Sequence, residues 1–461
     1  MPNRKSVTRR DFVRGAALAV AAPTIISARA LGNAATPAAS ERLTMGFIGI
    51  GKQAGGHLNR YSGMASAQVI AVCDVHTGRR ERAKNTTEKK YERLERKASV
   101  DQCVDYHELL ARKDIDAVVI GVPDYWHTAI AMNAAMAGKD IYCEKPLTLT
   151  IHEAKTLLDT VRGTKRVFQT GSQQRSEGPF RQACEYIQNG RIGKIKEVWV
   201  GVGATSKPCD LPTQETPAGL EWDMWLGQAP TRGWNDVICR NASDPGQYPF
   251  NPGWRDYREY SGGYVTDWGA HHFDITQWAL GMDRSGPVEV HPPEKEGDQY
   301  GAKLIYRGSR VGDEIVVTHK NVVWEGEVKG RNGQTRQAKQ TNGITFIGEN
   351  GKIFVNREMI VSEPDTILKD VINEDEIHYF KTPGHHEDWM ACIKTRNRPI
   401  ADVEIGARSV TVCHLVNLAY WHNRKLTWDP QKWEFPGDAE ANGWRDRERR
   451  EKYQLPEMKT A

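Results

Sequence analysis

Three ionisable residues stand at positions that suit proton transfer to and from an alcohol. Lys145 lies in the tripeptide Glu144-Lys145-Pro146, and Asp267 and His271 follow far downstream, four residues apart. Residues four apart share one face of a helix, so Asp267 can orient His271 or bind a neighbouring hydroxyl group. Oxidising an alcohol needs a base at the hydroxyl oxygen. Lys145, Asp267 and His271 therefore form the predicted catalytic centre.

Two of these residues are candidates for the base. The ordinary pKa of histidine is close to neutral, which favours His271. Lys145 can stabilise a developing alkoxide, or act as the base if burial and neighbouring charges lower its pKa. Four more side chains are candidates for contact with the substrate: Arg175, Trp254, His272 and His386.

A glycine turn upstream of this set predicts a dinucleotide-binding loop. Residues 49–54 have the sequence G-I-G-K-Q-A, which fits G-x-G-x-x-G/A directly after an apolar run that indicates a buried strand. Glycines there let backbone N–H groups approach a pyrophosphate at a helix N-terminus. The predicted contacts are Gly49, Gly51, Lys52, Gln53 and Ala54.

The end of the second predicted strand indicates the type of cofactor. Asp74 stands 23 positions after Gly51, where a carboxylate can accept hydrogen bonds from the adenosine ribose. Because a carboxylate there repels a 2′-phosphate, Asp74 favours NAD. Arg79 and Arg80 follow closely and leave NADP as the alternative.

Two later strand ends add candidates for the nicotinamide side of the site. Pro123 and His127 follow a third apolar run, and Glu144 ends a fourth, directly before Lys145. Because the carboxyl ends of parallel strands meet at one edge of a sheet, all four are predicted to border the cofactor. A lone histidine is as often structural, so both interpretations of His127 stay open.

The elements that must position these residues indicate two kinds of domain. Strands alternate with helical patterns up to residue 166, which predicts an α/β Rossmann domain with a doubly wound parallel sheet. Beyond it, strand-like runs among irregular stretches predict an α+β domain with a mostly antiparallel sheet. The predicted division is a signal peptide at 1–30, a linker at 31–42, domains at 43–166 and 167–435, and a C-terminal arm at 436–461.

The segment from Trp222 to Tyr260 is dense in Trp, Pro, Gly and Asn. A long stretch without regular structure is often functional, and indole faces suit the apolar faces of sugar rings. The pattern therefore predicts a carbohydrate-binding loop that includes Trp254. The alternative for each tryptophan is that it packs the loop onto the sheet.

The first 30 residues predict export. Thr8-Arg9-Arg10-Asp11-Phe12 precedes a weakly apolar run, and Ala28-Arg29-Ala30 has the form of a cleavage site. This pattern resembles a bacterial Tat signal, which would carry the folded protein and its cofactor to the periplasm. The run is shorter than the roughly 18 apolar residues that span a bilayer, so no stable membrane insertion is expected after cleavage. A membrane anchor and a chance basic N-terminus are the alternatives.

Composition excludes several other classes of protein. The formal net charge is +4, but residues 1–30 carry six basic residues and one acidic residue, which leaves −1 for the rest and no footprint for nucleic acid. The eight cysteines form no CxxC pair and no His/Cys cluster at zinc spacing, so no metal is expected. Cys209 and Cys239 are the one pair that an oxidising compartment could join.

The motifs together resemble one enzyme family. Gly-x-Gly, Pro-x-x-x-His, Glu144-Lys145-Pro146 and the run from Gly262 to Asp274 occur in an order similar to that of the glucose-fructose oxidoreductase/inositol dehydrogenase (Gfo/Idh/MocA) family. The likeness extends over residues 43–430. It implies a Rossmann domain followed by a domain whose large open sheet commonly mediates homodimers or homotetramers. It also implies that Lys145, Asp267 and His271 surround the reacting carbon.

The expected function is that of an exported oxidoreductase. It would transfer hydride between a tightly bound NAD(P) and a hydroxyl group of a sugar, sugar derivative or glycoside. Free NAD is scarce outside the cytoplasm, so the cofactor would be retained and recycled. The alternatives are a redox-neutral NAD-dependent glycosidase, which would act by oxidation, elimination and addition, and a non-catalytic sugar-binding protein.

Overall fold

The computed structural model describes residue 38 and residues 41–96, 99–240, 253–329 and 335–458. The predicted signal peptide and most of the predicted linker lie outside these ranges. The α-helices are α1 Lys52–Gly63, α2 Thr77–Arg93, α3 Tyr106–Leu110, α4 Asp124–Met136, α5 Ile151–Thr164, α6 Gly178–Gln188, α7 Trp222–Leu226, α8 Tyr264–Asp267, α9 Gly269–Ala279, α10 His385–Thr395, α11 Val403–His422 and α12 Ala439–Gly443. The strands are β1 Leu43–Ile48, β2 Ala67–Cys73, β3 Asp101–Cys103, β4 Ala117–Ile120, β5 Asp140–Cys143, β6 Phe168–Thr170, β7 Ile195–Gly201, β8 Glu289–His291, β9 Lys303–Ser309, β10 Gly312–His319, β11 Trp324–Lys329, β12 Thr335–Gln340, β13 Gly343–Gly348, β14 Lys352–Val355, β15 Ile360–Glu363 and β16 Leu426–Thr427.

The first six strands form a parallel sheet in the order β3-β2-β1-β4-β5-β6. Successive residues of β4 enter two different apolar cores, Val118 and Ile120 on one face and Ala117 and Val119 on the other. Burial on both faces explains why the strand is a continuous apolar run. Since β1 pairs with both β2 and β4, the chain reverses its winding between β1 and β4. Such a reversal opens a crevice at the carboxyl ends of the strands.

The second sheet has eight strands in the order β15-β14-β13-β7-β10-β9-β8-β16. Its strands pair antiparallel except for β7 and β10, which run parallel. Helices α6, α9 and α11 pack against this sheet. The predicted fold class, a Rossmann domain followed by a domain with a mostly antiparallel sheet, is confirmed.

Several segments join the two sheets into one molecule. Helix α11 contacts both α5 and β6 of the first half and α9 and β8 of the second. Helix α10 returns to the first half, where Trp389 packs in the core beside Tyr61 and Tyr142. Strand β6 belongs to the parallel sheet, which therefore extends past residue 166.

A segment near the C-terminus lies across the first half of the molecule. Residues 446–456, which we call the C-terminal strap, are tied down by buried ion pairs. Arg449 contacts the fully buried Glu153 at 2.8 Å, and Arg447 reaches the same carboxylate at 3.4 Å. Further along, the Tyr453 hydroxyl donates to Asp223 at 2.9 Å. The strap is therefore an integral part of the fold.

The structure also bears on the tryptophan-rich segment, the cysteines, membrane spans and metal sites. The segment from Trp222 to Tyr260 is not devoid of regular structure, because it begins with helix α7; residues 241–252 lie outside the described ranges. All eight cysteines, Cys209 and Cys239 included, are unpaired. Within the described part of the chain, no helix combines the length and apolarity that crossing a membrane requires. No cluster of metal-binding side chains occurs among the same residues.

Candidate active site

A cavity of about 1000 Å³ opens at the crevice between β1 and β4. Its volume lies at the upper end of the range of about 300–1,000 Å³ for small-molecule pockets. The predicted residues on its wall are Gly49, Gly51, Lys52, Gln53, Asp74, Pro123, His127, Glu144, Lys145, Trp254, Asp267 and His271. Both halves of the molecule therefore contribute to one cavity.

The glycine turn lets α1 point its N-terminus at the cavity. Gly49 has a φ of +78°, and a Cβ there would lie 2.6 Å from Val122. At Gly51 a Cβ would meet nothing within 4 Å, so this part of the turn is open. Among the described residues no side chain caps α1 at Gly51. An uncapped helix N-terminus beside an open glycine suits the pyrophosphate of a dinucleotide.

Ala54, the last residue of the motif, has a packing role. It is fully buried, and a Cβ at Gly121 would lie 2.6 Å from its methyl group. This close approach lets α1 pack on the turn after β4. The predicted cofactor contact is therefore indirect at this position.

Asp74 holds the glycine turn in place through a hydrogen bond. Its two carboxylate oxygens accept hydrogen bonds from the N–H of Ile50 at 2.7 Å and of His76 at 2.9 Å. Each oxygen keeps a further lone pair for a ribose hydroxyl. Arg79 also lines the cavity and donates to the Arg240 carbonyl, whereas Arg80 donates to the Asp74 carbonyl.

Glu144 is held by a buried chain of histidines. Its Oε1 accepts a hydrogen bond from His57 Nε2 at 2.7 Å, and His57 Nδ1 lies 2.9 Å from His386 Nε2. Burial opposes ionisation, but the hydrogen bond and charge of His57 lower the pKa of Glu144 to about 2. The cavity wall therefore carries a fixed negative charge next to Lys145.

His127 joins the ends of two strands. Its Nδ1 lies 2.7 Å from the Pro146 carbonyl and its Nε2 lies 3.0 Å from the Val122 carbonyl. Burial lowers the pKa of His127. The ring touches the cavity and lies between the two carbonyls. A neutral ring has one N–H and donates it to one of them, which helps to position the Glu144-Lys145-Pro146 turn.

Lys145 and Asp267 form an ion pair across the two halves of the molecule. Lys145 Nζ lies 2.5 Å from Asp267 Oδ1 and 3.1 Å from the Asp267 carbonyl. Arg255 Nε lies 3.3 Å from the same Oδ1. Burial would raise the pKa of Asp267, but Lys145 and Arg255 lower it below its ordinary value. Asp267 is thus a fixed anion shared by two cations.

His271 faces the same part of the cavity but differs from the expectation in one respect. Its Nε2 lies 3.2 Å from Arg357 Nη2, and its buried Nδ1 has no partner among the described residues. Burial, with the charges of Lys145 and Arg357, lowers the pKa of His271 well below the usual value. Its surroundings therefore shift the pKa of His271 away from the near-neutral value of an ordinary histidine.

Asp124 is a second buried carboxyl group at this end. It begins α4 after Pro123 and accepts a hydrogen bond from the Ser261 hydroxyl at 2.6 Å. Burial raises the pKa of Asp124 to about 7, although the charge of Arg255 opposes the shift. A proton can therefore reside at Asp124 near neutral pH.

Three predicted substrate residues lie away from the cavity. Arg175 is fully enclosed, with Nε at 2.7 Å from Asp274 and Nη2 at 2.7 Å from Asp283. His272 is fully buried behind the neighbouring His271 and lies 3.1 Å from the Gly201 carbonyl. His386 stacks on Tyr142 at 5.5 Å. Local interactions occupy all three, so the predicted substrate contacts are wrong at these positions.

The tryptophans of the 222–260 segment divide between the two interpretations. Trp254 and Trp225 line the cavity, and Arg255 lies over the Trp254 ring at 4.9 Å. Trp222 stacks on Trp225 at 4.8 Å, and Trp234 is buried with its N–H bonded to the Cys239 carbonyl. Packing therefore explains Trp222 and Trp234, whereas Trp254 stays a candidate for substrate contact.

The C-terminal strap borders the other end of the cavity. Lys452, Tyr453 and Gln454 line the cavity together with Val104, which follows β3. The Tyr453 ring contacts Trp126 edge-on at 5.6 Å. No sequence motif indicated these residues, nor Arg255, Arg357 or Asp124.

Comparison with known proteins identifies the two halves separately. Residues 43–172 match the Gfo/Idh/MocA oxidoreductase family, NAD-binding Rossmann fold, and residues 193–455 match the C-terminal α/β domain of the same oxidoreductase family. A solved WlbA dehydrogenase from Bordetella pertussis, in complex with NADH and UDP-GlcNAcA, has a TM-score of 0.52 at 16% identity and covers 84% of this chain and 98% of its own. That likeness concerns the fold.

Two relatives differ in activity. The inositol 2-dehydrogenase of Salmonella typhimurium is 32% identical over 180 residues, which is 39% of this chain and 50% of that protein. The α-N-acetylgalactosaminidase of Shewanella oneidensis is 32% identical over 126 residues, 27% of each chain. The aligned segments thus span half or less of these relatives.

Proposed function

The chain belongs to the Gfo/Idh/MocA family of NAD-binding oxidoreductases, and on that premise we propose that it oxidises or reduces a sugar, a sugar derivative or a glycoside. The observation that carries the proposal is that Lys145, Asp267 and His271 meet on a cavity that the glycine turn also lines. NAD, when bound, accepts hydride from the carbon that bears the hydroxyl group or returns it. The N-terminus of α1, Asp74 and Glu144 are the groups suited to hold it.

The chain's own residues handle the proton. The lowered pKa of His271 favours the neutral ring, whose Nε2 can accept the hydroxyl proton once a substrate replaces Arg357 at that atom. The Lys145 ammonium donates two hydrogen bonds to Asp267 and has a third proton for the developing alkoxide. In this proposal His271 is the base and Lys145 stabilises the oxyanion; Lys145 as the base is the alternative.

The test of this assignment is the His271→Ala variant. We expect it to lose turnover while its content of bound nicotinamide stays that of the wild type, because His271 lies away from the glycine turn. Unchanged turnover would refute the proposed base. Loss of turnover in Lys145→Ala with turnover retained in His271→Ala would support the alternative.

We further propose that the cofactor is NAD and that it stays bound. Asp74 at the ribose position supports NAD over NADP, and the strap across the cavity supports retention. Denaturing the purified protein and assaying the supernatant tests both points. Stoichiometric NAD(H) is the expected result. Release of NADP(H) would contradict the assignment to NAD. A purified protein that contains no nicotinamide, and that binds the cofactor only when NAD is added, would contradict retention.

Export by the Tat route to the periplasm and a homodimeric or homotetrameric state are also part of the proposal. The twin-arginine segment supports the first and the family resemblance supports the second. Cell fractionation of the wild type and of an Arg9→Lys/Arg10→Lys variant tests export, which the variant should abolish. Light scattering tests the oligomer, and a monomeric mass would contradict it.

A redox-neutral glycosidase is the second candidate. The similarity to an α-N-acetylgalactosaminidase favours it. Incubating the holoenzyme with aryl glycosides separates the two activities. Release of the aryl alcohol without net reduced nicotinamide indicates the glycosidase, whereas accumulation of reduced cofactor with an intact glycosidic bond indicates the dehydrogenase.

A further inference from the structure

Arg357 contacts the proposed base, and no motif or family expectation accounts for it. We propose that the substrate is a sugar acid and that Arg357 binds its carboxylate. The inference rests on the proposed function, because it concerns the same cavity. It adds the chemical class of the substrate and the residue that selects it.

Positive charge is concentrated around His271. Lys145, Arg255 and Arg357 all line this end of the cavity. Asp267 contacts the first two cations, at 2.5 Å and 3.3 Å. The nearest described carboxylate to Arg357 is Glu177, at 3.9 Å, and both side chains are more than a third exposed. Such a pair contributes little, so the protein leaves most of the binding capacity of Arg357 unused.

Hydrogen bonds within the turn hold Arg357 in place. Arg357 lies in the tight connection between β14 and β15. The buried Asn356 accepts hydrogen bonds from the N–H groups of Glu358 and Met359, both at 2.9 Å. The guanidinium also lies over the Trp268 ring, at 5.1 Å. An arginine placed this way is prepared for a planar anion, which a guanidinium can bind through two parallel hydrogen bonds.

Arg357 also hinders catalysis unless an anion neutralises it. Its guanidinium donates a hydrogen bond to Nε2 of His271, the atom that must accept the proton. Its positive charge also disfavours the imidazolium that forms when His271 acts as a base. A neutral sugar would leave this obstacle in place. A substrate carboxylate would draw the guanidinium to itself and offset its charge. Binding of the correct substrate would therefore also free the base.

Arg255 adds a second positive charge at the same end of the cavity. Its guanidinium lies over the Trp254 ring at 4.9 Å, and its Nε forms an ion pair with Asp267 at 3.3 Å. Trp254 provides an apolar face for the sugar ring beside it. The two arginines and the indole together match a ring that carries one carboxylate.

The test compares ligands that differ only at the exocyclic carbon. Calorimetry on the holoenzyme would measure Kd for glucose and glucuronate, for galactose and galacturonate, and for the 6-phosphates. The wild type should bind at least one uronate roughly 10- to 100-fold more tightly than its neutral partner. Arg357→Gln should remove that preference and change the Kd of the neutral sugar by less than about threefold. Turnover should follow the same order.

The matched control is Arg398→Gln. Arg398 also has a carboxylate partner at 3.9 Å, Asp402, but lies outside the cavity wall. Arg398→Gln should therefore leave the Kd of the uronate and the Kd of the neutral sugar unchanged. If Arg357→Gln fails to fold, Arg357→Lys keeps the charge without the planar fork and should lose most of the preference.

Several outcomes would overturn the inference. They are equal or tighter binding of the neutral sugars, a preference that survives in Arg357→Gln, no binding of any uronate at millimolar concentration, and tighter binding of a 6-phosphate than of every uronate. Oxidation of neutral sugars without dependence on Arg357 would refute the sugar acid and leave the oxidoreductase intact. Binding of uronates through Arg357 by a protein that never holds nicotinamide would refute the oxidoreductase and leave the anion site.

Discussion

The two ends of the cavity are built in different ways. At the reacting end, Lys145 forms an ion pair with Asp267, and Arg357 contacts His271. Lys145, Asp267 and His271 are largely buried, whereas the Arg357 side chain is partly exposed. At the end beside β2 and β3, the wall is completed by the strap, which touches the rest through Tyr453 and Trp126. The difference separates two tasks: the first end is arranged for proton transfer, and the second for enclosing a ligand.

The largest effect should come from removing the charge at the reacting end. Lys145→Met should lower kcat by about 10³-fold, because an oxyanion loses its donor in a buried site. Its content of bound nicotinamide should stay that of the wild type. Lys452→Met, at the strapped end of the same cavity, is the matched control and should retain kcat per bound cofactor. Equal losses in the two variants would break the comparison.

The strap should control retention of the cofactor. Tyr453→Ala removes the ring from Trp126 and the hydroxyl from Asp223, so cofactor dissociation should accelerate by about 10- to 30-fold. Stopped-flow displacement would measure that rate. Tyr453→Phe, which keeps the ring, should accelerate it by less than about fivefold. A dissociation rate that neither variant changes would show that the strap does not enclose the cofactor.

The buried charges of the reacting end should also make stability depend on pH. The pKa of Asp124 is raised to about 7 in the folded protein. Between about pH 4 and 7 this carboxyl group is ionised in the unfolded chain but still protonated in the folded protein, so the free energy of unfolding falls as the pH rises. Relative to the wild type, Asp124→Asn should therefore gain about 1–3 kcal/mol between pH 5 and pH 8, measured by denaturant unfolding. Asp236→Asn, on the exposed wall of the other end, should show no such gain. An equal free-energy difference at both pH values would contradict the raised pKa.

A smaller effect concerns the pH dependence of turnover. His271 must be unprotonated to act as a base, and its pKa is lowered by burial and by Lys145 and Arg357. The acid limb of kcat/KM should therefore lie below pH 6.5. In Arg357→Gln one cation is gone, so the limb should move to higher pH. If the acid limb of kcat/KM does not move in Arg357→Gln, His271 is not the base.

The comparison also shows what the sequence could predict. Gly49, Asp74, Glu144 and Lys145 each follow a strand of the parallel sheet, and the rule that ligands bind at strand ends places them together. Asp267 and His271 stand on successive helices, α8 and α9, whose backbone continues through Trp268. Local sequence patterns were therefore enough to predict these residues of the reacting end.

Other residues depend on contacts between distant segments. Arg357 lies in a hairpin turn without a motif, and Tyr453 reaches the cavity through partners more than 200 residues away in sequence. The same cause misled the prediction for Arg175, because Asp274 and Asp283, about 100 residues further on, enclose it. Spacing along a chain reports neighbours within one element, and these partners belong to others.

The ion pairs of the strap have a consequence for the order of events during synthesis. Glu153 is buried against Arg447 and Arg449, which the ribosome adds almost 300 residues later. Until then the carboxylate has hydrogen bonds from Thr128 and Leu149 but lacks its arginine partners, and the part of the cavity wall that the strap supplies is missing. Domains generally fold from the N-terminus as they emerge, so the parallel sheet can form first. The nascent chain should therefore enclose the cofactor only after the strap has docked.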